Sequence, residues 1–183
     1  MKTRQSPNRR TALAILAIAP EAGEKDGAAL EAGLAALKTR LAAPPQPAFM
    51  PYYSNGRLIL AYADVGSAAA AAVRLIFGSP DAPALRIGGD YAIASAFTEP
   101  FSGAARLTAD AVAAASGAMD SAPPGTACVT EDFAAALAAA GPRAPASEYV
   151  GELVPPDPGP PIGLYALKSY DQLFQPMGSD HPQ

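Results

Sequence analysis

The apolar run at 12–19, Ala-Leu-Ala-Ile-Leu-Ala-Ile-Ala, ends at Pro20 and constrains the fold of this chain more than any other stretch. It is too short to cross a bilayer, which takes about 20 residues. Its Ile and Leu content suits a strand in the middle of a sheet. Arg9-Arg10 before it and the small residues around it imitate an export signal. Pro20, however, stands where a cleaved bond would need a permissive residue, so a buried first strand is the favoured reading. No other stretch approaches a membrane span, and a soluble, cytoplasmic chain is expected.

Half of the 183 residues are hydrophobic and 16% are charged, enough apolar material for the core of one domain. The formal charge is -4, and Lys2, Arg4, Arg9 and Arg10 crowd a basic N-terminal arm at 1–10. The rest holds 9 basic against 17 acidic side chains, which argues against nucleic acid as a partner. Cys128 is the single cysteine and His181 the single histidine, the latter in a polar tail at 169–183. Neither a disulfide framework nor a soft metal site can be built from them. Cys128 reads as an inert core thiol.

Leucines 30, 34, 37 and 41 recur at helical spacing within 24–43, and Pro44-Pro45 stops that helix. Strands at 48–53 and 57–63 flank Ser54-Asn55-Gly56, a hairpin signal. Asp64 or Ser67 caps a helix running to about Phe77. Residues 84–96 read as a strand bent or bulged at Gly88-Gly89, and 103–119 as a helix. A turn at 122–125 leads to a strand at 126–130, then a helix at 131–140 ended by Gly141-Pro142. Strands at 147–154 and 162–168 are joined by a proline-rich link, read as a rigid connection rather than a ligand for an aromatic groove. In the tail, Tyr170, Leu173 and Phe174 are the docking candidates. The order β-α-β-β-α-β-α-β-α-β-β predicts an α+β sandwich, with helices covering one face of a mainly antiparallel sheet.

Several segments together carry a family resemblance. Tyr52-Tyr53-Ser54-Asn55-Gly56-Arg57 leads into the apolar strand Leu58-Ile59-Leu60-Ala61-Tyr62, and Arg86-Ile87-Gly88 follows. Then Asp110-Ala111-Val112-Ala113-Ala114-Ala115-Ser116-Gly117-Ala118 runs without gaps through Pro124-Gly125 to Val129-Thr130-Glu131, and Gly151-Glu152-Leu153 and Leu164-Tyr165 close the set. In order and spacing, residues 10–168 resemble the class III nucleotidyl cyclase homology domain. The resemblance implies a ferredoxin-like cyclase-type sandwich over 11–168, dimerising head to tail.

Cyclases of this family hold two divalent metals with two aspartates. The resemblance puts these positions near Ala17 or Ile18 and at Gly56, where no carboxylate stands. The Asn and Arg that serve the partner's site correspond to Ala113 and Gly117, the base-selecting lysine to Tyr52 and its acidic companion to Arg106. An alternative register gives Arg106 the arginine role through Ala104-Ala105-Arg106-Leu107, at the cost of an insertion before Pro124-Gly125. No catalytic residue, metal ligand or cofactor is assigned.

Phosphate-binding loops, nucleophile elbows and zinc-protease motifs are absent from the sequence. Tyr52, Tyr53 and Arg106 remain as ligand candidates in the vacated cleft, with the tyrosines either stacking a purine-like ligand or dividing between core and solvent. Asp90-Tyr91 reads as a solvated turn or, second, as a polar site on an exposed strand end. The leading functional reading is a catalytically inactive cyclase-like domain in signalling, a homodimer or the partner of a signalling protein, with a nucleotide among its candidate ligands. The alternative is a divergent cyclase with relocated acids, Glu21, Asp64, Asp90 and Glu99, and behind both stands a plain α+β module.

Overall fold

The computed structural model describes residues 10–19, 27–78, 84–141, 144–155 and 159–169. In chain order the elements are β1 (Arg10–Ala19), α1 (Gly27–Leu41), β2 (Tyr52–Ser54), β3 (Arg57–Tyr62), α2 (Val65–Phe77), β4 (Arg86–Thr98), β5 (Ala105–Leu107), α3 (Ala109–Ser121), β6 (Thr126–Thr130), α4 (Glu131–Ala139), β7 (Ala146–Leu153) and β8 (Ile162–Lys168). The sheet runs β2-β3-β1-β4-β6-β8-β7, with β5 paired to the far end of β4. Only β4 and β6 pair in parallel. The apolar run is a central strand, as its composition predicts: β1 lies between β3 and β4, and residues 13–19 are all buried.

Helices lie on both faces of the sheet, which corrects the expectation of one covered face. Ala14, Leu16 and Ile18 of β1 join a core with α1, α2 and α4, while Leu13, Ile15 and Ala17 join a second core with Ala115 and Met119 of α3. A strand apolar at every position requires this arrangement, because its alternate side chains need separate covers.

The glycine pair is likewise not a bulge. β4 pairs with β1 residue for residue from Arg86 to Ser95, straight through Gly88 and Gly89. A Cβ at Gly88 would come within 2.0 Å of the Ala115 carbonyl oxygen and 2.2 Å of the Met119 nitrogen, so the bare backbone lets α3 lie directly on the strand. On the opposite face a Cβ at Gly89 would meet Val129 Cγ1 at 2.8 Å.

Between α3 and the turn of β4 the sequence reading also misses a strand. Residues 105–107 form β5 and the helix begins at Ala109, after the N-cap Thr108. Local signals hold elsewhere. Asn55 (φ 50) and Gly56 (φ 76) form the two-residue hairpin turn, and Asp64 accepts the Ser67 N–H at 2.7 Å to cap α2. The strand boundaries at 126–130 and 162–168 agree with expectation. Cys128 is a buried core thiol, its pKa raised by desolvation. Tyr170, Leu173, Phe174 and His181 lie outside the described residues.

Asp90 is neither a turn residue nor an exposed strand end. It lies within β4, 7% exposed, and its Oδ1 accepts a hydrogen bond from Thr130 Oγ1 at 2.7 Å. Thr130 ends β6 and caps α4, accepting the Phe133 N–H at 3.4 Å, so one hydroxyl ties a buried carboxylate to a helix start. Burial pushes the Asp90 carboxyl up, and the Thr130 hydrogen bond opposes this only in part.

Two outcomes follow from these contacts. Gly88→Ala drives a methyl group into the α3 backbone and should cost roughly 3 kcal/mol or more, read as a fall in the urea midpoint. Asp90→Asn keeps the acceptor for Thr130 and removes the buried charge. Because the folded-state pKa of Asp90 is raised, its contribution to stability is greatest at low pH and is lost as pH rises above the ordinary carboxylate range. The Asn variant should therefore melt above the parent at pH 7, with the gap closing as pH falls through the raised pKa of Asp90 towards about 4. Equal melting at pH 7 would contradict the burial argument.

Candidate functional site

Consecutive residues on a strand face opposite ways, and β2 therefore separates the two tyrosines. Tyr52 packs on the α3 side of the sheet, near Phe49, Ala111 and Val112, whereas Tyr53 packs against the core beneath α1 and α2. The three ligand candidates do not form one cluster. Tyr52 and Arg106 come together, and Tyr53 is parted from them by the sheet.

The Tyr52–Arg106 pair forms because β5 folds back along β4, Phe97 opposite Arg106. The Arg106 guanidinium carbon stands 5.0 Å from the centre of the Tyr52 ring, a cation–π contact. The neighbouring Leu107 N–H donates to the Tyr52 phenol oxygen at 3.3 Å. Burial raises the Tyr52 pKa, while that N–H and the Arg106 charge pull it the other way. The two positions that the cyclase resemblance pairs for base selection are thus neighbours here. They hold an arginine on an aromatic ring instead of a lysine with an acid. Since Arg106 lies in a strand, the alternative register that would carry it on the helix is overturned.

The remaining catalytic positions can now be placed. Ala17 and Ile18 are both fully buried. Gly56 sits in the hairpin turn. On α3, Ala113 is exposed and Gly117 faces Leu153, whose Cδ2 lies 2.8 Å from where a Cβ would stand. Beside the turn, Arg57 pairs with Asp120 of α3 at 2.8 Å.

Among the described residues, the acids proposed for a divergent cyclase do not converge. Asp64 caps α2, Asp90 is bound to Thr130, and Glu99 accepts the N–H groups of Phe101 and Ser102 in the β4–β5 turn. That exposed carboxyl is held below its ordinary pKa, chiefly by the Ser102 side chain. Glu21 lies outside the described residues. Among the described residues no group of three or more His, Cys, Asp or Glu could hold a metal ion. A pair of divalent cations needs several oxygen ligands, and the residues at these positions do not fit them.

Two features escaped the sequence reading. The Asp90–Thr130 bond joins residues 40 apart, and no local pattern announces it. The start of α3 did carry a signal, Thr108 followed by Ala109-Asp110, an N-cap with an acid in the first turn. That signal would have left Arg106 outside the helix.

No protein-family model matches the chain, and no curated protein does. Solved structures match along most of its length. An adenylate cyclase from Trypanosoma brucei, solved in its monomeric state, superposes with a TM-score of 0.66 at 9% identity, covering 91% of this chain and 94% of that one. An adenylate/guanylate cyclase/hydrolase from Silicibacter pomeroyi gives 0.66 at 17% identity, with 88% and 99% covered. A dimeric guanylyl cyclase domain of a fusion protein from the aquatic fungus Blastocladiella emersonii gives 0.64 at 13%, with 86% and 96% covered. Among the described residues no helix is long and apolar enough to cross a membrane. With its eight-stranded sheet, helices on both faces and near-complete superposition, the chain has the fold of adenylate and guanylate cyclase catalytic domains.

Proposed function

We propose that this chain is a cyclase-fold domain that acts in signalling by association and not by turnover, as a homodimer or as the partner of another signalling protein in the cytoplasm. One observation carries this reading: the places that the resemblance gives to the metal-binding aspartates hold Ala17 and Ile18, sealed in the core, and Gly56, which has no side chain. Without those oxygen ligands nothing is positioned to activate a ribose hydroxyl or to neutralise a leaving pyrophosphate.

Two further features support it. Arg106 already stacks on Tyr52, so a purine seeking that ring competes with the guanidinium. The β4–β5 hairpin carries Ile93 and Phe101, 74% and 98% exposed, on its surface, and exposed apolar side chains of this size suit a protein contact.

The test is an incubation of the purified chain with ATP and with GTP in the presence of Mn²⁺, assayed for cyclic product, alongside sedimentation over a range of concentrations. The expected outcome is no cyclic AMP or cyclic GMP above a protein-free control, together with a concentration-dependent dimer. Cyclic product would restore the divergent-cyclase reading. A chain that stays monomeric and binds nucleotide without turnover would replace association with nucleotide sensing.

A further inference from the structure

The leucine stripe of α1 is only half used by the core. Leu37 and Leu41 are buried, but Leu34 and Leu30, one and two turns earlier, are only half covered. Where α1 parts from the sheet a groove opens, with a volume of about 580 Å³, within the range of small-molecule sites. Leu34, Lys38 and Leu41 of α1 line it together with Met50 and with Tyr53 and Leu58 of the hairpin.

The groove is held open by its frame. Residues 42–51 contain Pro44, Pro45, Pro47 and Pro51, which stiffen the wall facing α1. Arg74 of α2 donates to the carbonyls of Ala43, at 3.1 Å, and Pro44, and the Ala48 N–H reaches the Ala61 carbonyl at 2.6 Å. Arg40 is spent on the same frame, donating to the carbonyls of Arg74 and Leu75. These bonds fix the wall whether or not anything lies in the groove, so little ordering is needed on binding.

The lining chemistry selects the occupant. Among the described lining residues Lys38 is the only charged side chain and none is a carboxylate, and the surface around it is mostly apolar. Gln46 Nε2 donates to the Ala42 carbonyl at 3.0 Å, and the rest of the lining is mainly apolar, so the groove offers few partners for the regular donors and acceptors of a peptide backbone. A single cation beside an open, mostly apolar groove also differs from the polybasic cluster that holds a membrane surface. We infer that this groove binds a free straight-chain carboxylate, a medium-chain fatty acid, with its tail along Leu34, Leu41 and Leu58 and its head on Lys38. The inference is independent of whether the chain retains cyclase chemistry, because the groove lies across the sheet from Tyr52 and Arg106.

The test is calorimetric titration of the full chain with octanoate, decanoate and dodecanoate below their aggregation concentrations. Parallel titrations use dodecyltrimethylammonium and anionic phospholipid vesicles. Saturable one-to-one binding is expected, tightening about fourfold per added methylene as each is buried. Lys38→Glu, at an exposed position, should keep the parent's circular dichroism, lose at least tenfold in affinity for decanoate and gain affinity for the cationic amphiphile. Leu34→Trp, which fills the groove, should abolish binding of both. The inference is overturned by the absence of saturable decanoate binding, by Lys38→Glu binding decanoate as the parent does, or by binding to vesicles alone. None of these readouts depends on cyclic product or on dimerisation.

Discussion

The contact on which the rest of this structure depends is the seating of α3 on the bare backbone at Gly88. A helix normally stands off a sheet by the height of the side chains between them. Here the Ala115 carbonyl and Met119 nitrogen lie where a Cβ would be, so the two backbones touch. Small residues on both partners are the condition for such an approach, and α3 supplies Ala115 and Ala118, both fully buried. On the opposite face Gly89 leaves room for side chains instead of backbone, those of Val129 on the neighbouring strand and Phe133 on α4, so the centre of β4 is closely packed from both sides. That close fit explains how a chain so rich in alanine still packs a dense core. Short side chains are compensated by short distances.

Fixing α3 in this way fixes its other face too. With Ala115, Ser116, Ala118 and Met119 turned to the interior, Ala113 is left outside and Gly117 stands against Leu153 of β7. On the same side of the molecule Asp120 reaches the hairpin through Arg57, and Tyr52 receives Arg106 and the Leu107 N–H. These contacts lie within the chain and tie the hairpin, β5 and α3 together. In the reading proposed above, these contacts stiffen the hairpin and β5 in place of a ligand.

Much of this was legible in the sequence wherever one local interaction decides the conformation. Asn55-Gly56 accepts positive φ, Asp64 caps its helix with its own carboxylate, and the apolar run at 12–19 suits the middle of a sheet, where residues 13–19 are buried. Failures arose where a distant partner decides. Gly88-Gly89 carries the same local signature as a bulge, and only the arrival of α3 makes it a contact point. Asp90 reads as solvated because acids usually are, until Thr130 meets it from a neighbouring strand. The candidate site was half legible for the same reason. Tyr52 and Arg106 were singled out from aligned positions and do meet, whereas strand alternation, which was available from sequence, should already have parted Tyr53 from Tyr52.

The burial of β1 bears directly on why a fold of this kind can stand apart from cyclase chemistry. At 17 or 18 an ionised carboxylate would lie in a strand flanked on both sides by β3 and β4 and covered by both cores. Such a charge costs several kcal/mol unless a cation or a set of donors compensates it. A metal-binding strand at this place is thus stabilised by its ions and strained without them. Ala17 and Ile18 remove that dependence. Each adds apolar surface to one of the two cores. The interactions that build this sheet are accordingly indifferent to catalysis, and residues that would serve it can be missing from the chain while the architecture around them remains whole.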